Sequence, residues 1–124
     1  MLLIDTCIIY DWLMGELKDQ SMVQRIQSEG AYVSAVSVWE MVIKNSLGKM
    51  PLPLIPIAES IESQGFQWLA ISPYHAQTVL TLGQHHRDPF DRLLIAQSIY
   101  ESFTIVTYDQ VFRHYLDNCV IIAK

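Results

Sequence analysis

The sequence predicts an α/β fold: a single domain in which helices flank a parallel sheet. Short apolar runs rich in Ile and Val alternate with helical patterns along the 124 residues, and this alternation is typical of βαβ units. Hydrophobic residues make up 51% of the chain, which is enough for a buried core rather than disorder. A chain of this length fits one domain, and we expect that domain to span residues 1–124.

Five strands and seven helices are expected in order along the chain. The strands are predicted at 2–5, 31–34, 67–71, 103–107 and 119–123. The helices are predicted at 8–17, 20–28, 38–47, 57–64, 73–84, 89–101 and 110–115. Prolines 51, 53 and 56 follow Gly48 and predict an extended connection in the middle of the chain. The helix at 89–101 is apolar on almost all sides, so we expect it to be buried, with its polar first turn at the sheet edge.

Four acidic residues stand where an apolar strand gives way to a helix. They are Asp5, Glu40, Asp91 and Asp109. In an open α/β sheet the carboxyl ends of the strands line one crevice, and ligands bind there. Carboxylates brought together at that edge repel one another unless a cation joins them, and hard divalent cations prefer carboxylate oxygens. The placement therefore predicts a divalent metal site.

Each acid also has an ordinary explanation as part of a helix cap. Asp5 can cap the helix after the first strand, and Asp88 followed by Pro89 is a favourable helix start. Ser37-Val-Trp-Glu40 and Thr107-Tyr-Asp-Gln110 have the spacing of capping boxes. Capping is the stronger explanation for any one acid taken alone. It does not require acids, however, because Ser, Thr and Asn cap equally well, so the four together favour a metal site.

The charge balance bears on the kind of partner. Thirteen acidic and eight basic residues give a net charge of −5, which argues against nucleic-acid binding through a broad basic surface. A pocket of four carboxylates accounts for most of this excess, and a bound divalent cation reverses the local sign, so a nucleic-acid substrate remains open. No apolar run approaches the roughly 18 residues of a membrane span. Cys7 and Cys119 lack metal-ligand spacing and suit a reducing compartment, so we expect a cytoplasmic protein without a membrane partner.

Four segments resemble the successive motifs of a PIN domain, and more narrowly those of the VapC-type toxins of bacterial toxin–antitoxin pairs. The segments are Met1-Leu-Leu-Ile-Asp-Thr-Cys, Val33-Ser-Ala-Val-Ser-Val-Trp-Glu-Met-Val-Ile-Lys, His86-Arg-Asp-Pro-Phe-Asp-Arg-Leu-Leu-Ile-Ala-Gln and Ile105-Val-Thr-Tyr-Asp. The resemblance implies a parallel five-stranded sheet and an acidic pocket formed by Asp5, Glu40, Asp91 and Asp109. It also implies a ribonuclease that uses Mg2+ or Mn2+, with RNA as substrate, a cognate antitoxin as partner and a homodimeric assembly.

Several residues near these motifs have open roles. Asp88 precedes Asp91 by about one helical turn, so both can face the pocket; we expect Asp91 to bind the metal directly and Asp88 to support it. Asp5 is expected to be a ligand shared between metals. Glu40 is expected to bind through water or to orient the nucleophile. Thr6 and Thr107 can hydrogen-bond a ligand or phosphate, although bonding to the local backbone is the more common use of such hydroxyls.

Cys7 stands where such proteins commonly have Asn or His, and we expect it to be buried as a small hydrophobic residue. Lys44, Arg87 and Arg92 can contact RNA phosphate, or pair locally, Lys44 with Glu40 and Arg92 with Asp91. Trp39 is expected in the core or in a subunit contact rather than stacked on a base. The four histidines, at positions 75, 85, 86 and 114, lack ligand spacing, which argues against zinc. Apolar surface around Trp12, Leu13 and Met14 is expected to receive an antitoxin segment or a second copy.

Three rival functions have identifiable requirements. A phospho-receiver signalling domain needs an Asp that closes the third strand, but Gln67-Trp-Leu-Ala-Ile-Ser lacks one. It also needs a Lys after the last strand, where only the terminal Lys124 occurs. A phosphatase of the Asp-x-Asp type needs an acid where Cys7 stands. A catalytically silent binding module with the same fold stays open, although the complete set of acids argues against it.

Overall fold

A five-stranded parallel sheet forms the centre of the computed structural model, which describes residues 1–53, 56–116 and 120–124. The first strand is the central one: its Ile4 pairs with Val33 of the neighbouring strand on one side and with Val106 of the neighbouring strand on the other. The strands, in chain order, are β1 (Leu2–Ile4), β2 (Tyr32–Ser34), β3 (Gln67–Leu69), β4 (Thr104–Thr107) and β5 (Val120–Ile122). Their order in the sheet is β3-β2-β1-β4-β5. The predicted α/β fold with a parallel five-stranded sheet is confirmed.

Six α-helices and two short 3-10 helices connect the strands in the described part of the chain. The α-helices are α1 (Thr6–Leu13), α2 (Gln20–Glu29), α3 (Ala35–Ser46), α4 (Ile57–Ser63), α5 (Pro73–Thr78) and α6 (Pro89–Glu101). The 3-10 helices cover Val79–Thr81 and Gln110–His114. None of the helices in the described ranges is long and apolar enough to cross a bilayer.

Some predicted boundaries differ from those observed. The helix predicted at 38–47 begins at Ala35, because the Ser34 hydroxyl accepts a hydrogen bond from the Val36 amide and caps it. The helix predicted at 73–84 leaves α-geometry at Thr78 and continues as one 3-10 turn. The last predicted helix is 3-10 rather than α, with Asp109 as its cap. Cys119, at the start of the last predicted strand, lies outside the described residues.

Both faces of the sheet are packed against helices. Alternate residues of β1 enter different clusters: Leu2 and Ile4 pack on one face and Leu3 on the other, as the two-residue period of a strand requires. The second cluster contains Leu94 and Ile95 of α6, both fully buried. The expectation that this helix is buried is therefore confirmed. Its first turn emerges at the carboxyl edge of the sheet.

Candidate metal centre

From β1 the chain adds β2 and β3 on one side of the sheet and then β4 and β5 on the other. The strands β1 and β4 are therefore neighbours although they lie far apart in sequence, and the sheet has a topological switch point between them. Crevices outside such a switch point are the usual ligand sites of open α/β sheets. Asp5 follows β1, and Thr107 and Asp109 follow β4, so these residues come to one edge. The strand order also differs from the 2-1-3-4-5 order of phospho-receiver domains, and this excludes the receiver alternative on topology.

Asp5 is buried at the base of this crevice, and its two carboxylate oxygens have different hydrogen-bond donors. Its Oδ1 accepts from the Thr6 amide at 2.7 Å, which makes Asp5 the N-cap of α1 as predicted. Its Oδ2 accepts from the Thr107 hydroxyl at 2.6 Å. The Thr107 oxygen in turn accepts from the Asp109 amide at 3.0 Å. Thr107 therefore fixes the Asp5 carboxylate and the start of the Asp109 segment together, instead of serving the local backbone alone.

Glu40 lies on α3 and is 2% exposed. Its Oε2 accepts from the Lys44 ammonium at 2.5 Å, so the predicted pairing one turn apart is confirmed. Its Oε1 is buried and has no hydrogen-bond partner among the described residues. A buried carboxylate oxygen without a donor is costly unless a cation or another donor satisfies it. This orphaned oxygen is the clearest sign that the pocket fits a cation.

The first turn of α6 supplies two more carboxylates. Asp88 is the N-cap of this helix, with its Oδ1 accepting from the amides of Phe90 at 2.8 Å and Asp91 at 3.3 Å, as predicted. Asp91 follows in the first turn, and its side chain is 18% exposed. One oxygen of Asp88 is thus committed to the helix end, which leaves the other oxygen free to face the pocket.

Two overlapping groups of side chains offer ligand atoms that lie within 4.8 Å of one another. One consists of Glu40, Asp88 and Asp91, and the other of His86, Asp91 and Asp109. Asp91 belongs to both groups and is the centre of the arrangement. Asp5 stands outside both at this distance. The predicted role of Asp5 as a ligand shared between metals therefore stays a prediction.

Crowding of carboxylates changes their protonation. Burial, followed by the charges of Asp5, Asp88, Glu40 and Asp109, raises the pKa of Asp91 from 3.8 to about 8. Burial also raises the pKa of Asp5 to about 6, with smaller contributions from Glu40 and Asp109, while its hydrogen bonds from Thr107 and Thr6 act in the opposite direction. A divalent cation favours the ionised forms and would release these protons.

A comparison with protein families gives the identity of the fold. The PIN domain model matches residues 2–117 of the chain. The chain belongs to the PIN-domain family. The predicted family is therefore confirmed, and the pocket described above lies within the matched region of this PIN domain.

Solved structures of similar fold come from several bacteria. A toxin–antitoxin complex from Klebsiella pneumoniae is 17% identical, with a TM-score of 0.67 and coverage of 98% of this chain and 96% of that chain. The FitAcB structure from Neisseria gonorrhoeae is 20% identical, with a TM-score of 0.69 and the same coverages. VapBC2 from Rickettsia felis, bound to a DNA fragment from its promoter, is 12% identical, with a TM-score of 0.71 and coverages of 99% and 98%. No curated protein matches the sequence.

Two predicted capping boxes are absent from this PIN domain. Ser37 is not an N-cap, because α3 has already begun at Ala35; its hydroxyl instead accepts a hydrogen bond from Thr6 at 2.9 Å and joins α1 to α3. Thr6 therefore supports the packing of the two helices, and its hydroxyl is directed to Ser37 rather than to an acid. The box predicted at Thr107 is also wrong, since Asp109 caps the 3-10 helix through the Val111 amide at 2.9 Å.

Two further expectations for this PIN domain are wrong, and a third, for Trp39, is wrong in part. Cys7 is exposed rather than buried. Arg92 does not pair with Asp91; its guanidinium donates to the carbonyls of Gly83 and His86 and to the Tyr115 hydroxyl. Trp39 is 58% exposed, which excludes the core, and its ring meets Phe90 edge-on with 5.4 Å between centroids.

His86 is the residue that sequence reasoning missed. Its Nε2 lies 2.9 Å from Asp91 Oδ2 and 3.1 Å from Asp109 Oδ2. The spacing of the four histidines in the sequence does not reveal this role, because the neighbours of His86 in space are aspartates. Its position within the segment that leads into α6 was the available signal.

Proposed function

We propose that this PIN domain is a metal-dependent endoribonuclease that hydrolyses RNA with Mg2+ or Mn2+, and that it is the toxin of a toxin–antitoxin pair. The observation that carries the proposal is Asp91 in two overlapping ligand groups, beside a buried Glu40 oxygen without a donor. Carboxylates are ligands that both cations prefer. Helix capping accounts for one oxygen each of Asp5, Asp88 and Asp109 and leaves Glu40 and Asp91 unexplained.

Five carboxylates would hold the metal. Asp91 is central, and Glu40 and Asp88 face it from one side and Asp109 from the other. Each oxygen of Asp5 accepts one hydrogen bond and keeps a second lone pair, so Asp5 remains available as a ligand. When bound, the metal lowers the pKa of a water molecule and stabilises charge on the scissile phosphate.

The other residues of the pocket act on these carboxylates. Lys44 balances the charge of Glu40 and directs its second oxygen into the pocket. Thr107 sets the orientation of Asp5, and the Thr6–Ser37 hydrogen bond fixes the spacing of α1 and α3. Such contacts hold the carboxylates in the narrow range of positions that phosphoryl-transfer chemistry requires. The catalytic set proposed is Asp5, Glu40, Asp91 and Asp109, with Asp88 as a further ligand and Thr6 and Thr107 in support.

Contacts to RNA are proposed at the rim of the pocket. Lys44 and Arg92 are engaged with protein groups, whereas Arg87 is exposed beside Asp88 and is the best placed cation for an RNA phosphate. The exposed ring of Trp39, held edge-on by Phe90, offers a face on which an unpaired base can stack. A few contacts of this kind suit a protein whose net charge is −5.

The antitoxin is proposed to bind the surface formed by α1, α2 and the turn at Gly65. Two adjoining grooves there, about 260 and 300 Å3, share Trp12, Gln27 and Gln64 in their linings. Trp12 donates to the Gln64 side chain at 3.2 Å and meets Phe66 edge-on, so the grooves are preformed. A preformed groove lined by both apolar and glutamine side chains suits a peptide segment of a partner. The grooves lie apart from the acids, so their occupant would not be the substrate.

A homodimer is proposed through the exposed face of α5 and α6. Tyr74 and Tyr100 stack there with 5.9 Å between ring centroids, and both are at least half exposed. Leu80, in the 3-10 turn that follows α5, is a further exposed apolar side chain, at 86%. Apolar side chains grouped on a surface are typical of an interface between subunits. Light scattering of the wild type and of a Tyr74→Glu variant tests this. We expect the wild type to be a dimer and the variant a monomer, and a monomeric wild type contradicts the proposed interface.

The cytoplasm is the proposed location.

The nuclease proposal is tested by incubating RNA with the purified protein in Mg2+, in Mn2+ and in EDTA. We expect cleavage with either metal by the wild type, and loss of cleavage in Asp5→Asn and Asp91→Asn. Glu29→Gln is the matched control, because Glu29 is an exposed acid that pairs with Arg25 away from the pocket. Equal cleavage by the wild type and both pocket variants, all shown to be folded, would favour the silent binding module and a contaminating nuclease.

A further inference from the structure

The His86 ring occupies the gap between two of the proposed ligands. Its Nε2 lies 2.9 Å from Asp91 Oδ2 and 3.1 Å from Asp109 Oδ2. The contact with Asp109 is a hydrogen bond, and the contact with Asp91 is a close approach at ion-pair distance, so this one nitrogen contacts the facing oxygens of both acids. In the absence of a cation it is the group that joins α6 to the segment after β4 within the pocket.

The other ring nitrogen shows which atom carries the proton. The Asp88 amide donates to His86 Nδ1 at 3.1 Å, and an amide N–H can only donate. Nδ1 is therefore an acceptor without a proton, and the proton of the neutral ring lies on Nε2. Histidines that ligate metals usually show the opposite arrangement, in which the second nitrogen donates to a carboxylate or a carbonyl. In this geometry His86 is a donor to the acids and not a metal ligand.

The backbone around His86 is held in place by residues outside the pocket. The Tyr115 hydroxyl accepts from the amides of His85 and His86, each at 2.7 Å. Arg92 donates to the His86 carbonyl at 3.2 Å and to the Gly83 carbonyl at 2.8 Å. The ring itself meets Phe112 edge-on. The backbone of His86 is therefore fixed beside the two acids, and the Asp88 amide and Phe112 contact the ring itself.

We propose that His86 is a positioning residue that holds Asp91 and Asp109 together in the metal-free protein and competes with the cation for their oxygens. The inference rests on the proposed metal-dependent function and adds a determinant of cation affinity to it. A cation bound between the two Oδ2 atoms would take the place that the Nε2–H now fills, since both must lie close to the same two oxygens. The ring must then turn away, and the loss of its hydrogen bond to Asp109 and its contact with Asp91 reduces the affinity for the cation.

The test is calorimetric titration of Mg2+ into the metal-free protein at one fixed pH. The amide of Asn cannot reach the place of Nε2, whereas the amide nitrogen of Gln can and keeps a donor there. We expect His86→Asn to bind Mg2+ about tenfold more tightly than the wild type, because the hydrogen bond to Asp109 and the close contact with Asp91 no longer oppose binding. His86→Gln should bind as the wild type does. His85→Asn is the control, since His85 is exposed and stacks on His114.

A second readout is independent of affinity. Long-range 1H–15N spectra of the metal-free protein should show His86 with its proton on Nε2, and Mg2+ should shift both of its nitrogen resonances. Weaker Mg2+ binding by His86→Asn, or a proton on Nδ1, would identify His86 as a ligand and overturn the inference. Equal Mg2+ affinity of the wild type and His86→Asn would overturn it while leaving the proposed nuclease intact. Failure of both to bind Mg2+ would overturn the proposed function and the competition together.

Discussion

Replacing Asp91 by Asn should stabilise the metal-free protein at pH 8. The pKa of Asp91 is raised from 3.8 to about 8, so the folded state holds this proton more tightly than the unfolded state does. The contribution of this raised pKa to the free energy of unfolding is fully present below about pH 4 and is lost as the pH rises through about 8. The amide of Asn has the same shape, carries no charge and keeps an oxygen that faces His86 Nε2. The variant should therefore not lose free energy of unfolding as the pH rises.

The size of the effect follows from the same shift. At about 1.4 kcal/mol per pH unit, a change from 3.8 to about 8 corresponds to at most about 6 kcal/mol. The neighbouring acids titrate together with Asp91, and its side chain is 18% exposed to water. One substitution therefore restores only part of this free energy. We expect about 2–3 kcal/mol at pH 8, or a rise in Tm of roughly 10 °C for a domain of this size.

Thermal and urea unfolding in EDTA at about pH 4 and about pH 8 measure this difference, with Glu29→Gln as the control for loss of an exposed acid. The Asp91→Asn advantage should be small at the lower pH and should shrink again when the wild type is saturated with Mg2+, because the cation stabilises the charged pocket. A variant no more stable than the wild type at pH 8 in EDTA would show that burial and the neighbouring acids do not destabilise the ionised form of Asp91, and would contradict the prediction.

Three other predictions concern the same pocket. Lys44→Met removes the partner of the buried Glu40 and should lower the free energy of unfolding in EDTA by about 2 kcal/mol; urea unfolding checks this, and no change would contradict the pairing. Thr107→Val frees the Asp5 carboxylate and should cost about 1–2 kcal/mol of stability and slow RNA cleavage, whereas Thr104→Val, on the same strand away from the acids, should do neither. Mg2+ affinity should rise with pH through about 6 and about 8, because Asp5 and Asp91 must lose protons to bind it; calorimetry that finds constant affinity would disagree.

The sequence contained enough to predict the sheet and the acids, for a physical reason. Strands that are buried on both faces read as short apolar runs, and an acid just after such a run must lie at the carboxyl edge. Asp5 and Asp109 were placed correctly on this basis. Asp88 was recognised as a cap from the proline that follows it, and the structure agrees.

The contacts across the pocket could not be predicted, because they join residues that are distant in sequence. Ser37 was assigned to a capping box, but Ser34 takes the cap and Thr6, from another helix, takes the Ser37 hydroxyl. His86, in the loop before α6, reaches Asp109, which follows β4 and lies 23 positions further along the chain. Such contacts depend on how helices and strands pack together, and they leave no local pattern in the sequence.

The central claim is that the carboxylates act on RNA through a divalent cation. The most direct test measures the RNA cleavage rate and Mg2+ binding on the same protein as Mg2+ is increased, for the wild type and Asp91→Asn. Both quantities should saturate over the same Mg2+ range in the wild type, and both should be lost in the variant, since Asp91 belongs to both ligand groups. RNA cleavage by the wild type that proceeds equally in EDTA, or that persists in a variant unable to bind Mg2+, would contradict it.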